Sequence, residues 1–132
     1  MKPNKVFSIL ILSSIIFITN VLSTLYKKQY FYSFLFGCLT LTSLIYHYNT
    51  NIYTNILAIV LYGGYVLYNK IPSDNYIKML LILISFFCCI FFFFYGYYIK
   101  DYCYHPNKYV GNNYHCMLHI IASFGHHLIT FL

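Results

Sequence analysis

The sequence predicts an all-α membrane protein, a polytopic bundle of about five transmembrane helices that forms a single membrane domain over residues 1–132. Of the 132 residues, 61% are hydrophobic and 8% are charged, whereas a soluble domain has roughly 25% charged residues. The apolar residues form runs long enough to cross a hydrocarbon core of about 30 Å at about 1.5 Å per residue. These runs lack the alternation of a membrane barrel, so backbone hydrogen bonds must be satisfied within helices.

The first two predicted helices are separated by a basic turn. A basic start precedes the first apolar run, which is longer than the roughly 7–15 apolar residues of a signal peptide, so we interpret it as a retained helix. Lys27-Lys28 form the turn, and the second segment ends before the polar run 49–51. The five helices are predicted at about residues 6–26, 31–48, 52–68, 77–99 and 114–132.

The last three segments differ in character. The third contains Gly63-Gly64, small residues that suit close helix contact. The fourth is apolar on all sides, and the tyrosines at its end are typical of an aromatic belt at the membrane surface. Residues 100–113 form the longest predicted loop, and the fifth helix follows it.

Charged residues and cysteines exclude several other classes. The basic residues are eight lysines near segment ends, which is typical of interface anchors and not of a nucleic-acid-binding stripe. Four lysines fall on each predicted face, so the positive-inside rule selects no orientation. Five cysteines in mostly apolar runs indicate packing residues and no disulfide framework. Cys103 and Cys116 are the one pair that loops could bring together.

Two histidines open the fifth segment. His115 and His119 are four residues apart, so on a helix both imidazoles project from one face and can reach one metal ion. Polar groups within lipid must be hydrated, paired or ligated. The plain alternative is that both histidines lie half solvated at the membrane surface.

A third histidine is predicted on the same face of the membrane. Each crossing reverses the chain, so His47 at the end of the second segment shares a face with His115 and His119. Three histidine ligands with an open fourth position are common in catalytic zinc sites, where the bound water has a pKa of about 7. Ser43 lies one turn deeper than His47. Its hydroxyl can orient that water or bind an oxyanion, or can bond back to its own helix.

The serine–histidine pair that closes the second segment and the histidine pair that opens the fifth resemble the superfamily of alkaline ceramidases and adiponectin and progestin receptors. Within it, residues 43–47, the run 114–132 and Leu12-Ser13-Ser14 ahead of Lys27-Lys28 are most similar to the myomaker-type branch. The resemblance implies a zinc-dependent membrane hydrolase that cleaves a lipid amide or ester bond. Membrane lipids are then the partners, and no nucleic acid is expected.

This chain departs from the superfamily in two ways. The superfamily has seven helices. Loss of a pair between the third and fifth segments would leave His47, His115 and His119 on the same face of the membrane. The superfamily also has an aspartate near the start of its third helix, where this chain has Asn51 and Asn55. An amide can hydrogen-bond a zinc-bound water but cannot accept its proton. The implied catalytic residues are Ser43 and Asn55, with Asp101 the only carboxylate on the site face.

Two functions remain open at this point. One is the hydrolase, and the other is a non-catalytic multi-pass protein that binds lipid or remodels membranes, with a structural or vestigial metal. A di-iron lipid oxygenase is excluded because six histidines cannot supply the roughly eight nitrogen ligands needed. His105, His126 and His127 are not assigned to the metal. His126 lies about 10 Å below His119 along the helix, and we interpret it as a relay or a helix-packing hydrogen bond.

Overall fold

The computed structural model describes residues 5–45, 53–71, 74–95, 103 and 105–132. These residues form helices and no strand, which confirms the all-α prediction for this part of the chain. Each of the five predicted segments corresponds to a helix, and the first is divided in two. The helices are α1 (Lys5–Ile15), α2 (Phe17–Tyr26), α3 (Tyr30–Ile45), α4 (Tyr53–Lys70), α5 (Tyr76–Phe94) and α6 (Lys108–Thr130).

The division at Ile16 has a local cause. The hydroxyls of Ser13 and Ser14 both donate to the Leu10 carbonyl oxygen, at 3.0 and 2.9 Å. Serine hydroxyls that bond back to the preceding turn compete with the backbone and bend helices. At this point the Ile16 amide bonds to the Ser13 carbonyl oxygen instead, three residues back. The two serines therefore precede the point at which α1 and α2 are divided, which we call the Ile16 break.

Helix α6 begins at Lys108, six residues earlier than predicted. Asn107 is the N-cap, and its side-chain oxygen accepts from the Tyr109 amide at 2.9 Å. Asparagine at this position satisfies amides that a helix start leaves unbonded. The polar residues 111–113 looked like loop because their hydropathy is low, but the cap starts the helix ahead of them. The predicted end of the fourth segment, at 99, lies outside the described residues.

Helix α6 lies at the centre of the described bundle. It packs against α1, α2, α4 and α5, and reaches α3 through a hydrogen bond between Tyr32 and His126. Two glycines allow close approach. A Cβ on Gly63 would lie 3.0 Å from His126 Cε1, and one on Gly125 would lie 3.0 Å from Ser85 Cβ. The predicted close contact at Gly63 is thus confirmed, whereas Gly64 faces open space.

The bundle buries polar side chains and exposes apolar ones. Asn20 and Thr24 are 0% exposed, whereas Leu12 is 70%, Phe87 64% and Phe91 63% exposed. In the described part of the chain, two helices are long and apolar enough to cross a membrane, Ile9–Tyr26 and Tyr76–Phe94. The all-helical bundle therefore has an exterior that water would solvate poorly.

Candidate histidine and serine site

His115 and His119 face each other on the first half of α6. Their Nε2 atoms are 3.1 Å apart, and the ring centroids are 4.6 Å apart with the planes nearly perpendicular. His119 is buried and His115 is partly buried. The helix places the two imidazoles on one face, as the spacing of four predicts.

Ser13 is the hydrogen-bond partner of His119 Nδ1. The Ser13 hydroxyl oxygen lies 2.9 Å from His119 Nδ1 and 3.0 Å from the Leu10 carbonyl oxygen. A hydroxyl has one proton to donate, so when Ser13 donates to Leu10 it accepts from His119 Nδ1. The Nε2 atom of the neutral His119 ring is then the lone-pair nitrogen. Its 3.1 Å approach to His115 Nε2 requires a proton or a cation between the two atoms.

Two further described contacts hold the His119 ring and the neighbouring part of α6 in place. Phe17, the first residue of α2, presents its ring to the imidazole edge with the centroids 5.2 Å apart. Phe17 is itself buried in the core. The Cys116 thiol contacts the Ile9 carbonyl oxygen at 3.7 Å, which ties the same part of α6 to α1. Both helices next to the Ile16 break therefore position His119.

Ser43 joins the same part of the bundle through Ser14. The two hydroxyl oxygens are 2.8 Å apart and both residues are buried. Either hydroxyl can donate in this bond, and Ser43 is the donor when the Ser14 proton goes to the Leu10 carbonyl oxygen. Successive serines of α1 thus bind the end of α3 and the first half of α6. The prediction that His47 shares a membrane face with His115 and His119 involves a residue outside the described part of the chain.

The histidine pair fits two ligands of a zinc site. Two imidazole nitrogens bound to one tetrahedral zinc at about 2.0–2.1 Å lie about 3.4 Å apart, and the observed separation is 3.1 Å. The bond from Nδ1 to Ser13 is the kind of outer contact that orients zinc-binding histidines. The described residues include no group of three or more His, Cys, Asp or Glu side chains that could hold a metal. The third predicted ligand, His47, lies outside the described residues, as do Asn51 and Asp101.

The described side-chain partner of Asn55 is Thr42, the residue before Ser43. The Asn55 side-chain nitrogen donates to the Thr42 hydroxyl at 3.1 Å, and Thr42 donates to the Cys38 carbonyl oxygen at 2.9 Å. This bond joins α4 to α3 next to Ser43. The described contacts of Asn55 are therefore with the neighbour of Ser43.

Further polar contacts along α6 were not predicted individually. Ser123 and Asn20 bond reciprocally: the Asn20 amide donates to the Ser123 carbonyl oxygen at 3.0 Å, and the Ser123 hydroxyl donates to the Asn20 side-chain oxygen. His126 bonds to Tyr32 of α3, which confirms a helix-packing hydrogen bond. His127 bonds to Thr19 at 2.9 Å. The sequence signal for these contacts is the recurrence of polar residues every three or four positions along the last segment.

His105, the remaining described histidine, makes contacts at the start of α6. His105 Nδ1 accepts from the Asn107 amide at 3.0 Å, and its ring packs against Tyr114 with the centroids 5.9 Å apart. It therefore helps to form the start of α6. The surface depression lined by Asp74, Asn75, Tyr76 and Ile77 lies at the start of α5, away from the histidine pair.

Comparison with known proteins provides no relative from which a role can be carried over. No family model, no curated protein and no solved structure matches the chain. The resemblance to the alkaline ceramidase superfamily stays a prediction from the residues quoted above.

Proposed function

We propose that the chain is a multi-pass integral-membrane protein in which all five helical segments lie in the bilayer. The support is the reversed distribution of polarity, with Asn20 and Thr24 fully buried and Phe87 and Phe91 mostly exposed. Lipid solvates apolar side chains, and membrane helices associate through small and polar residues. In water, the same exterior would be a large aggregation-prone surface.

We further propose that this protein is a zinc-dependent hydrolase of a lipid amide or ester bond. His115 and His119, together with His47, would hold the metal. The observation that carries the proposal is the 3.1 Å approach of the two Nε2 atoms, with Ser13 holding the opposite nitrogen of His119. Zinc bound by three histidines supplies a water whose pKa is about 7 and polarises a carbonyl oxygen.

The residues of the chain then have distinct tasks. Ser13 and Phe17 hold the His119 ring so that Nε2 is directed at the ligand position. Ser43, whose hydroxyl bonds to that of Ser14 in this structure, would be the donor for an oxyanion when it turns from Ser14 towards a bound carbonyl. Asn55 can position a polar group by hydrogen bonding but cannot accept a proton.

The zinc content of the purified full chain tests this proposal. Protein prepared in detergent without chelator is expected to hold close to one zinc per chain by elemental analysis. His119→Ala should lose the zinc, and His127→Ala is the matched control because His127 lies on the same helix but bonds to Thr19. Wild-type protein without zinc would overturn the proposed metal centre.

A second candidate function is a metal-stapled membrane protein without catalysis, which binds lipid or remodels the bilayer. The observation that favours it is the series of hydrogen bonds from α6 to α1, α2 and α3, which holds helices together without any chemistry. Zinc-loaded protein incubated with lipids that carry an amide or an ester bond separates the two. Cleavage that Ser43→Ala reduces while zinc stays bound supports the hydrolase. Zinc binding without cleavage supports the staple.

A further inference from the structure

Three lysines from different parts of the chain converge on the carboxyl end of α6. Lys70, at the end of α4, donates to the carbonyl oxygens of Ile129 and Thr130 at 2.8 and 3.0 Å. Lys78, in the first turns of α5, donates to the Phe131 carbonyl oxygen at 3.2 Å. Lys27, in the turn before α3, lies 5.0 Å from the centroid of the Phe131 ring. The sequence separates these lysines by up to 51 positions (78 − 27).

Capping of α6 accounts for part of this arrangement. Carbonyl oxygens at a helix end carry partial negative charge and favour cations. Three ammonium groups, however, provide roughly nine N–H donors, and the carbonyl contacts above use three of them. The remaining donors belong mainly to Lys27 and Lys78. This end of the bundle therefore carries more positive charge and more donors than the helix end requires.

The three charges also repel one another. Burial, and then the charges of Lys27 and Lys78, lower the pKa of Lys70 from its ordinary value. Asp74 is the only acidic side chain among the described residues. Lys28, which is exposed beside Lys27, adds a fourth positive charge. An anion bound between these side chains would relieve the repulsion.

We propose that Lys27, Lys70 and Lys78 form a binding site for the phosphate of an anionic phospholipid headgroup. The lysines follow or precede the apolar part of their helices, at the depth where headgroups lie in a membrane-embedded bundle. Basic residues at such a position attract anionic lipids. The site is independent of the proposed hydrolase but requires membrane embedding.

Native mass spectrometry of the full chain, released from neutral detergent, tests the site with phosphatidylglycerol and phosphatidylcholine as probes. Wild-type protein is expected to retain phosphatidylglycerol preferentially. Lys27→Gln should weaken that binding about fivefold, the contribution of one lysine near an anionic surface. Lys27 is exposed and its described contact is with a ring, so this variant should fold. Lys108→Gln, at the opposite end of α6, removes the same charge and should leave the preference intact.

Two further measurements complete the test. Lys78→Gln should weaken binding by a similar factor, and high salt should weaken binding to the wild type more than to Lys27→Gln. Inorganic phosphate is the second probe. If the wild type binds free phosphate as well as it binds phosphatidylglycerol, and does not prefer phosphatidylglycerol to phosphatidylcholine, the lipid assignment is wrong. Equal retention of both lipids, or an equal loss with Lys108→Gln, would overturn the site itself.

Discussion

Ser13→Ala tests whether Ser13 orients His119. The substitution removes the acceptor that lies 2.9 Å from His119 Nδ1, and it also removes the bond from Ser13 to the Leu10 carbonyl oxygen. The Ile16 break should remain, because Ser14 still donates to Leu10. The change therefore affects mainly the position and tautomer of one imidazole.

The two expected effects differ in size. Hydrogen bonds between membrane helices contribute about 0.6 kcal/mol on average, and alanine is a better helix former than serine by roughly 0.5 kcal/mol, so stability should change by less than about 1 kcal/mol. Loss of an outer contact to a zinc-binding histidine typically lowers metal affinity about 10–100-fold. That loss corresponds to about 1.4–2.7 kcal/mol. Metal affinity should therefore fall while the fold is retained.

Competition between the purified protein and a zinc chelator provides the measurement, with thermal unfolding in the same detergent as the check on folding. Ser13→Thr keeps a hydroxyl and should retain most of the affinity. Ser23→Ala is the matched control, because the described bond of Ser23 is to the Asn20 carbonyl oxygen of its own helix, at 3.1 Å. An unchanged zinc affinity in Ser13→Ala would refute the role of Ser13 in orienting His119.

Three further changes probe the bundle and the missing carboxylate. Asn20→Ala removes both bonds to Ser123 and should lower the free energy of unfolding in detergent by about 1–2 kcal/mol; a loss no larger than that of the exposed Thr19→Ala would contradict this. Gly63→Ala places a Cβ 3.0 Å from a histidine carbon and should cost about 1–3 kcal/mol by overpacking. Gly64→Ala, which faces open space, should cost nothing, and equal effects would argue against the close contact. Asn55→Asp should raise lipid cleavage only in a chain with a working site, measured as turnover of the zinc-loaded protein.

Helix positions were predictable from the sequence because they depend on apolar runs. The second segment was expected at 31–48, and α3 is described from Tyr30 to Ile45. The start of α6 was not predictable in this way, since the Asn107 cap acts locally and independently of hydropathy. The Ile16 break depends on hydrogen bonds from two serine hydroxyls to the Leu10 carbonyl oxygen. Serines in a helix do not always bond back to the preceding turn, so the break was not predictable.

The polar side chains of the candidate site could be listed from the sequence, but most of their pairings could not. The spacing of His115 and His119 fixes their contact because both lie on one helix. Contacts between helices depend also on the rotation of each helix about its axis, which the sequence does not specify. Ser13 was noted only as part of a motif, yet it is the partner of His119. Ser43 was expected near the histidines and is linked to them through Ser14 and Ser13.

The helix break and the candidate site are one arrangement. When Ser13 and Ser14 donate to the Leu10 carbonyl oxygen, their oxygens accept from His119 and Ser43. If the serines bonded elsewhere, they would become donors, and His119 would have to accept through Nδ1. The lone pair of a neutral His119 would then lie on the nitrogen away from His115. The bonds of the two serines would therefore set the tautomer with which His119 could bind the proposed metal.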